Sequence, residues 1–172
     1  MNMLRHWEKL LRVFPFSRLS KSGSTLRVNA LSFTEPALYE QSYNDPINLD
    51  VILAAAKEYM GSDCAAQLEA KWDLWQFSGE WKLTPTRVNL LCFASEFEDR
   101  AGDHLRVEFG TDSIFMPDPE LPNNLFMAQS NLKSLLQFVH EADQALSVEQ
   151  RRLWTESGEN FAERLQKVLS EP

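Results

Sequence analysis

The 172-residue sequence predicts an α+β fold: an antiparallel β-meander of about four to five strands in the middle of the chain, packed by N-terminal and C-terminal helices. Three observations predict it. Between residues 64 and 74, Cys64, Ala66, Leu68, Ala70, Trp72 and Leu74 alternate without a break with Ala65, Gln67, Glu69, Lys71 and Asp73. That is the period of a half-buried strand. Further strand-like segments separated by turn signals continue to residue 117, and apolar residues recur at helical spacing at both ends of the chain.

The first of those stripes is Met3, Leu4, Trp7, Leu10, Leu11 and Phe14, with Arg5, Glu8, Lys9 and Arg12 opposite. Pro15 ends it, and SRLSKSGS reads as a polar linker, so residues 1–20 form a basic amphipathic helix with its linker. Residues 21–172 form a single α+β domain. Within it, residues 25–33 alternate well enough for a first strand, and residues 34–46 read as an irregular connection. Asn48 is placed to cap a helix carrying Leu49, Ile52, Leu53, Ala56 and Met60, ended by Gly61.

Residues 64–77 read as a strand. A helix through Cys64, Leu68, Trp72 and Trp75 competes, because alanine and glutamate favour it, but alternation over eleven residues is the stronger signal. Ser78-Gly79-Glu80 is a turn, and as a three-residue loop it sets Phe77 opposite Trp81 and Trp75 opposite Leu83. Residues 86–97 follow as a central strand, with Pro85 marking a bulge or an edge. EDRAGD turns the chain into 104–110, where Leu105, Val107 and Phe109 face inward. Residues 113–117 read as one more short strand, broken by the prolines of PDPELPNN. The C-terminal helices span 131–169: Leu132, Leu135, Leu136 and Val139 form one stripe. Ser147 opens a capping-box pattern, and Trp154, Phe161, Leu165 and Leu169 continue the spacing, with Gly158 and Ser157 a point of division.

The sequence carries no motif that assigns an activity. G-x-S-x-G, P-loop and G-x-G-x-x-G are absent, so no catalytic residue and no cofactor is predicted. His6, His104 and His140 lack metal spacing with one another or with Cys64 and Cys92. His140-Glu141 is half of a zinc-protease helix motif whose second histidine is replaced by Gln144, and it reads as a solvated helix face. Glu96, Glu98, Asp99 and Asp103 gather around a turn without EF-hand spacing, and a hairpin rich in acids and glycine needs no metal.

Charge and aromatics say more about partners. The formal net charge is −8, yet residues 1–27 hold six basic residues against Glu8 alone. The acidic remainder repels nucleic acid and suits a basic partner. Two cysteines, no N-linked glycosylation sequon and a start interrupted by Arg5, Glu8, Lys9 and Arg12 fit a reduced, cytoplasmic protein. No apolar run approaches the roughly 18 residues of a membrane helix. Trp72 reads as core, while Trp75, Phe77 and Trp81 share the opposite face with Glu69 and Asp73. That grouping is the candidate interaction surface, since aromatic anchors carry much of the energy of protein interfaces. The expectation is an acidic, non-catalytic, protein-binding domain of interaction or inhibitor type. One alternative is a small-ligand binder or enzyme with a pocket near Trp75 and Trp81. Another is a peripheral membrane or scaffold protein using residues 1–14, with Arg5, Trp7, Lys9 and Arg12 as its arm.

Overall fold

The computed structural model of the chain describes residues 2–153, 155 and 161–172. In chain order the elements are α1 (Asn2–Val13), β1 (Ser24–Ala30), β2 (Ala37–Tyr43), α2 (Leu49–Tyr59), β3 (Cys64–Phe77), β4 (Trp81–Phe93), β5 (Leu105–Phe109), α3 (Asn124–Ala145) and α4 (Phe161–Ser170). The strands form one antiparallel sheet in the order β2-β1-β3-β4-β5, and the fold is α+β.

The predicted alternation is what divides the sheet into two faces. Leu26 and Val28 of β1, the even residues Cys64 to Leu74 of β3, and Val88, Leu90 and Cys92 of β4 are buried in one cluster. The helices pack on that face. Trp7, Leu10, Leu11 and Phe14 come from α1, Ile52 and Ala56 from α2, and Leu132 and Phe138 from α3, while Leu165 and Leu169 of α4 pack against the same cluster. Trp72 lies at its centre, with ring centroids 5.7 Å from Phe14, 5.8 Å from Phe109 and 5.5 Å from Phe138. Asn48 caps α2 as predicted, accepting from the backbone N–H of Asp50 and Val51. Arg12 bridges Glu8 at 2.9 Å and Asp50 at 2.8 Å, tying α1 to α2.

Backbone parity decides which groups face each sheet edge. Leu31 N–H donates to the Asp63 carbonyl, Ala94 N–H to Cys64 and Phe93 N–H to His104. In an antiparallel ladder alternate residues bond to opposite neighbours. The odd residues of β3 therefore bond toward β1, and the odd residues of β4 toward β5. β1 reaches β3 only as far as Glu69, and β5 reaches β4 only as far as Val88. The odd residues 71–77 and 81–87 consequently face open edges. On the first, Ser17 N–H donates to the Lys71 carbonyl at 2.7 Å, and Asn131 of α3 bonds both backbone groups of Trp75. On the second lies Pro85, whose missing N–H falls on the open side and costs no ladder bond.

Four expectations are corrected. Residues 34–46 contain the edge strand β2, whose side chains are mostly exposed, so no inward stripe marks it. Residues Ser113–Phe115 form a 3-10 turn instead of a strand, with Phe115 buried. α3 begins at Asn124 behind Asn123, which sits at φ 54 and makes no side-chain cap. Its buried stripe is Ala128, Asn131, Leu132 and Phe138, because Phe138 packs on Phe14 and Trp72; Leu136 is exposed. Finally, Ser147 starts no helix: residues 147–153 are irregular, and Arg151 reaches back to Asp143 at 3.1 Å. Trp154, Ser157 and Gly158 lie outside the described residues.

Candidate functional site

The helix-free face of the sheet falls into three zones. At one end Phe93 and Phe97 are buried with Ala65 and Leu91. The β1–β2 loop folds Phe33 over them, with ring centroids 4.8 Å from Phe97 and 6.1 Å from Phe93. Arg106 lies 4.6 Å above the Phe93 ring. The acids of the β4–β5 turn fasten this cover. Asp99 accepts from Phe33 N–H at 2.6 Å, Glu96 from the Ser62 hydroxyl at 2.9 Å, and Asp103 from Arg106 at 2.7 and 3.0 Å.

The middle zone is a charged row across four strands. Arg27 of β1 meets Glu40 of β2 at 2.6 Å and Glu69 of β3 at 3.5 Å, and Glu69 meets Arg87 of β4 at 3.4 Å. Opposite charges alternate at cross-strand positions, and among the described residues no helix lies over them. Beside the row the linker after α1 wraps round the β3 edge onto this face. The Asp73 carboxylate accepts from the Ser17 hydroxyl, from Arg18 N–H at 2.8 Å and from Leu19 N–H at 3.3 Å. Lys71 donates to the Ser22 hydroxyl.

The third zone is the β3–β4 hairpin end. The register sets Phe77 opposite Trp81 and Trp75 opposite Leu83, as the three-residue loop requires. Gly79 takes φ +77 at the tip, a conformation that side chains disfavour. Phe77 and Trp81 meet edge-on at 5.4 Å. Trp75, Phe77 and Trp81 are half-buried and Leu83 is 41% exposed. The segment against them comes from α3 and the loop before it. Trp81 donates its indole N–H to the Pro122 carbonyl. The Asn131 amide accepts from Trp75 N–H at 2.8 Å and donates to its carbonyl at 2.9 Å and to the Ile114 carbonyl at 2.7 Å. Phe126, on the first turn of α3, is 65% exposed.

Of the predicted surface, Trp75, Phe77 and Trp81 are thus brought together, while Glu69 and Asp73 are held in bonds within the chain. Asn131 and Pro122 were not legible as neighbours, since tertiary packing alone brings them to the hairpin. The predicted arm residues divide by helix face. Trp7 is 0% exposed in the core, and Arg5, Lys9 and Arg12 point to solvent.

Two clefts lie elsewhere. One of about 410 Å³ separates the Pro15 turn from α3, with Trp72 and Phe138 at its floor and Lys133 and Glu141 at its rim. A polar one of about 350 Å³ lies among Ser22, Thr25, Ser42, Glu69 and Lys71. Neither includes Trp75 or Trp81. Among the described residues no three His, Cys, Asp or Glu side chains converge as a metal site, and no helix is long and apolar enough to cross a membrane. Compared with protein-family models, curated proteins and solved structures, the chain has no match.

Proposed function

We propose that the protein is a non-catalytic binding domain whose ligand is another protein, docked on the helix-free face at the β3–β4 hairpin. The observation that carries this reading is the set Trp75, Phe77, Trp81 and Leu83, left half-buried or exposed although α3 and the loop before it bond Trp75 and Trp81. Trp75 and Phe77 are held by strand register, and Trp81 by its bond to Pro122. Aromatic anchors presented rigidly lose little entropy on binding, which is what interface hot spots require.

The net charge of −8 favours a basic partner. The small-ligand alternative would place its ligand beside Trp75 and Trp81, and the two clefts described above are lined by other residues. The membrane-arm alternative needs Trp7, which is part of the core.

Affinity capture from the source cell tests the proposal, with native chain and Trp81→Ala as paired baits across a salt series. A specific partner should bind native chain, weaken as salt rises, and lose at least about 2 kcal/mol, roughly 30-fold, with Trp81→Ala. Equal capture by both baits would sink it.

A further inference from the structure

Strand edges invite pairing with other chains, and proteins usually close or guard them. Here β3 is closed by Ser17 and Asn131, β4 carries Pro85 on its open side, and β5 is five residues long. β2 has none of these devices. Even residues of β1 bond toward β2, so the paired Tyr39, Gln41 and Tyr43 turn their backbone groups inward. Glu40 and Ser42 therefore direct theirs outward, and among the described residues nothing bonds them. Pro36 and Pro46 bracket this stretch and a bulge sets Leu38 apart, with no proline or lysine between 39 and 43.

We propose that β2 is a self-association edge, where two copies of this chain pair antiparallel along residues 39–43 about a two-fold axis at Gln41. Strand parity narrows the axis to Glu40, Gln41 or Ser42, and the axis at Ser42 would pair Glu40 with Asn44, which lies beyond the end of β2. Outward groups must meet outward groups, so Glu40 pairs with Ser42 of the second copy, and Ser42 with its Glu40. The alternative centred on Glu40 would set two carboxylates face to face, which is unfavourable. In the chosen register Tyr39 lies opposite Tyr43 of the second copy and Gln41 opposite Gln41, with no like charges in contact. The surface is thus complementary to itself, as an isologous dimer requires.

A two-strand seam alone falls short of the roughly 1,200 Å² of a stable interface. The apolar surface extends beyond it. Leu38 is 55% exposed, and on α2 Val51 and Tyr59 are exposed, with Tyr59 stacked 4.5 Å from Tyr39. A two-fold axis normal to the sheet keeps both helix layers on the same side and brings α2 of each copy toward the seam.

Sedimentation equilibrium of the full chain should give about twice the 19.8 kDa chain mass. Ser42→Pro removes an outward N–H without touching the β1 backbone ladder, losing only the hydroxyl contact with Thr25, and should return the monomer mass with an unchanged circular-dichroism spectrum. A second variant stays informative if that proline perturbs folding. Gln41→Cys places two thiols at a non-hydrogen-bonded pair, where Cα atoms lie about 4.5 Å apart, within disulfide reach. It should oxidise to a covalent dimer far faster than Leu83→Cys, the control for random collision. A monomer at every concentration, with Gln41→Cys no faster than the control, overturns the proposal. So does a dimer that survives Ser42→Pro and leaves Gln41→Cys uncrosslinked, or a chain that stays monomeric while a strand of a different protein protects the Glu40 and Ser42 amides.

Discussion

The amide of Asn131 and the backbone of Trp75 form a two-point contact that replaces a missing neighbour strand, with bonds of 2.8 and 2.9 Å. β3 outruns β1 by eight residues, Ala70 to Phe77, and a buried side chain of α3 closes part of that edge. The same contact fixes the aromatic hairpin relative to the helix layer.

Asn131→Ala should therefore cost about 2–4 kcal/mol, because it strands buried backbone groups of Trp75 and Ile114 in addition to losing the bonds. Asn131→Asp should also destabilise, since it keeps an acceptor for Trp75 N–H but has no donor for the two carbonyls. Urea melts check this. A loss below about 0.5 kcal/mol would mean that water satisfies those groups.

The three tryptophans of the hairpin region should separate by stability. Trp72→Ala should lose about 3–5 kcal/mol as a core truncation. Trp75→Ala and Trp81→Ala should each lose about 1–2 kcal/mol, in keeping with half-buried rings, and Trp81→Phe about 1 kcal/mol for the bond to Pro122. Equal losses at Trp72 and Trp75 would contradict the division of the sheet into a packed and an open face.

Neither thiol should react in the folded protein. Burial pushes Cys92 up to about 12 and also raises Cys64, and the thiolate is the reactive form. An aromatic disulfide reagent at pH 8 should label both only at the rate of unfolding. Rapid labelling of Cys92 in native protein would show that its strand opens locally.

Asp103 should contribute to the acid limb of stability. Burial alone would raise its pKa, but the hydrogen bonds and charge of Arg106 outweigh that and hold it below the ordinary 3.8. A carboxylate depressed in the folded state stabilises above its unfolded pKa and loses that contribution as pH falls through the folded value. Asp103→Asn should therefore be less stable than native protein at pH 7. The two should converge as pH falls from about 4 through the depressed value. A constant gap between the two melting curves would contradict this.

The linker should depend on Asp73. With its three acceptor bonds removed in Asp73→Ala, residues 17–19 lose their hold on β3, and trypsin should cut after Arg18 and Lys21 faster than in native protein. Unchanged cleavage would mean that the Ser17–Lys71 backbone bond holds the linker by itself.

Legibility followed burial asymmetry. The alternation of 64–74 reported β3 because one face is covered and the other open, and loop length then carried the register through to Trp81 and Leu83. β2 was hidden because most of its side chains are exposed, leaving hairpin pairing with no hydrophobic trace. The capping-box letters at Ser147 are followed by irregular chain through residue 153, since such a motif caps a helix but does not by itself make one. The aromatic grouping itself was readable, but not what holds it. Asn131 reads as one more polar helix residue until the fold places it against a strand 56 positions away.

The most direct test of the docking claim is hydroxyl-radical footprinting of the tryptophans in the free chain and in its complex with the captured partner. Trp75 and Trp81 should be oxidised in the free chain and protected in the complex, while Trp7 and Trp72 should be protected in both. Unchanged oxidation of Trp75 and Trp81 on binding, with new protection mapped to α1 or α4, would contradict it.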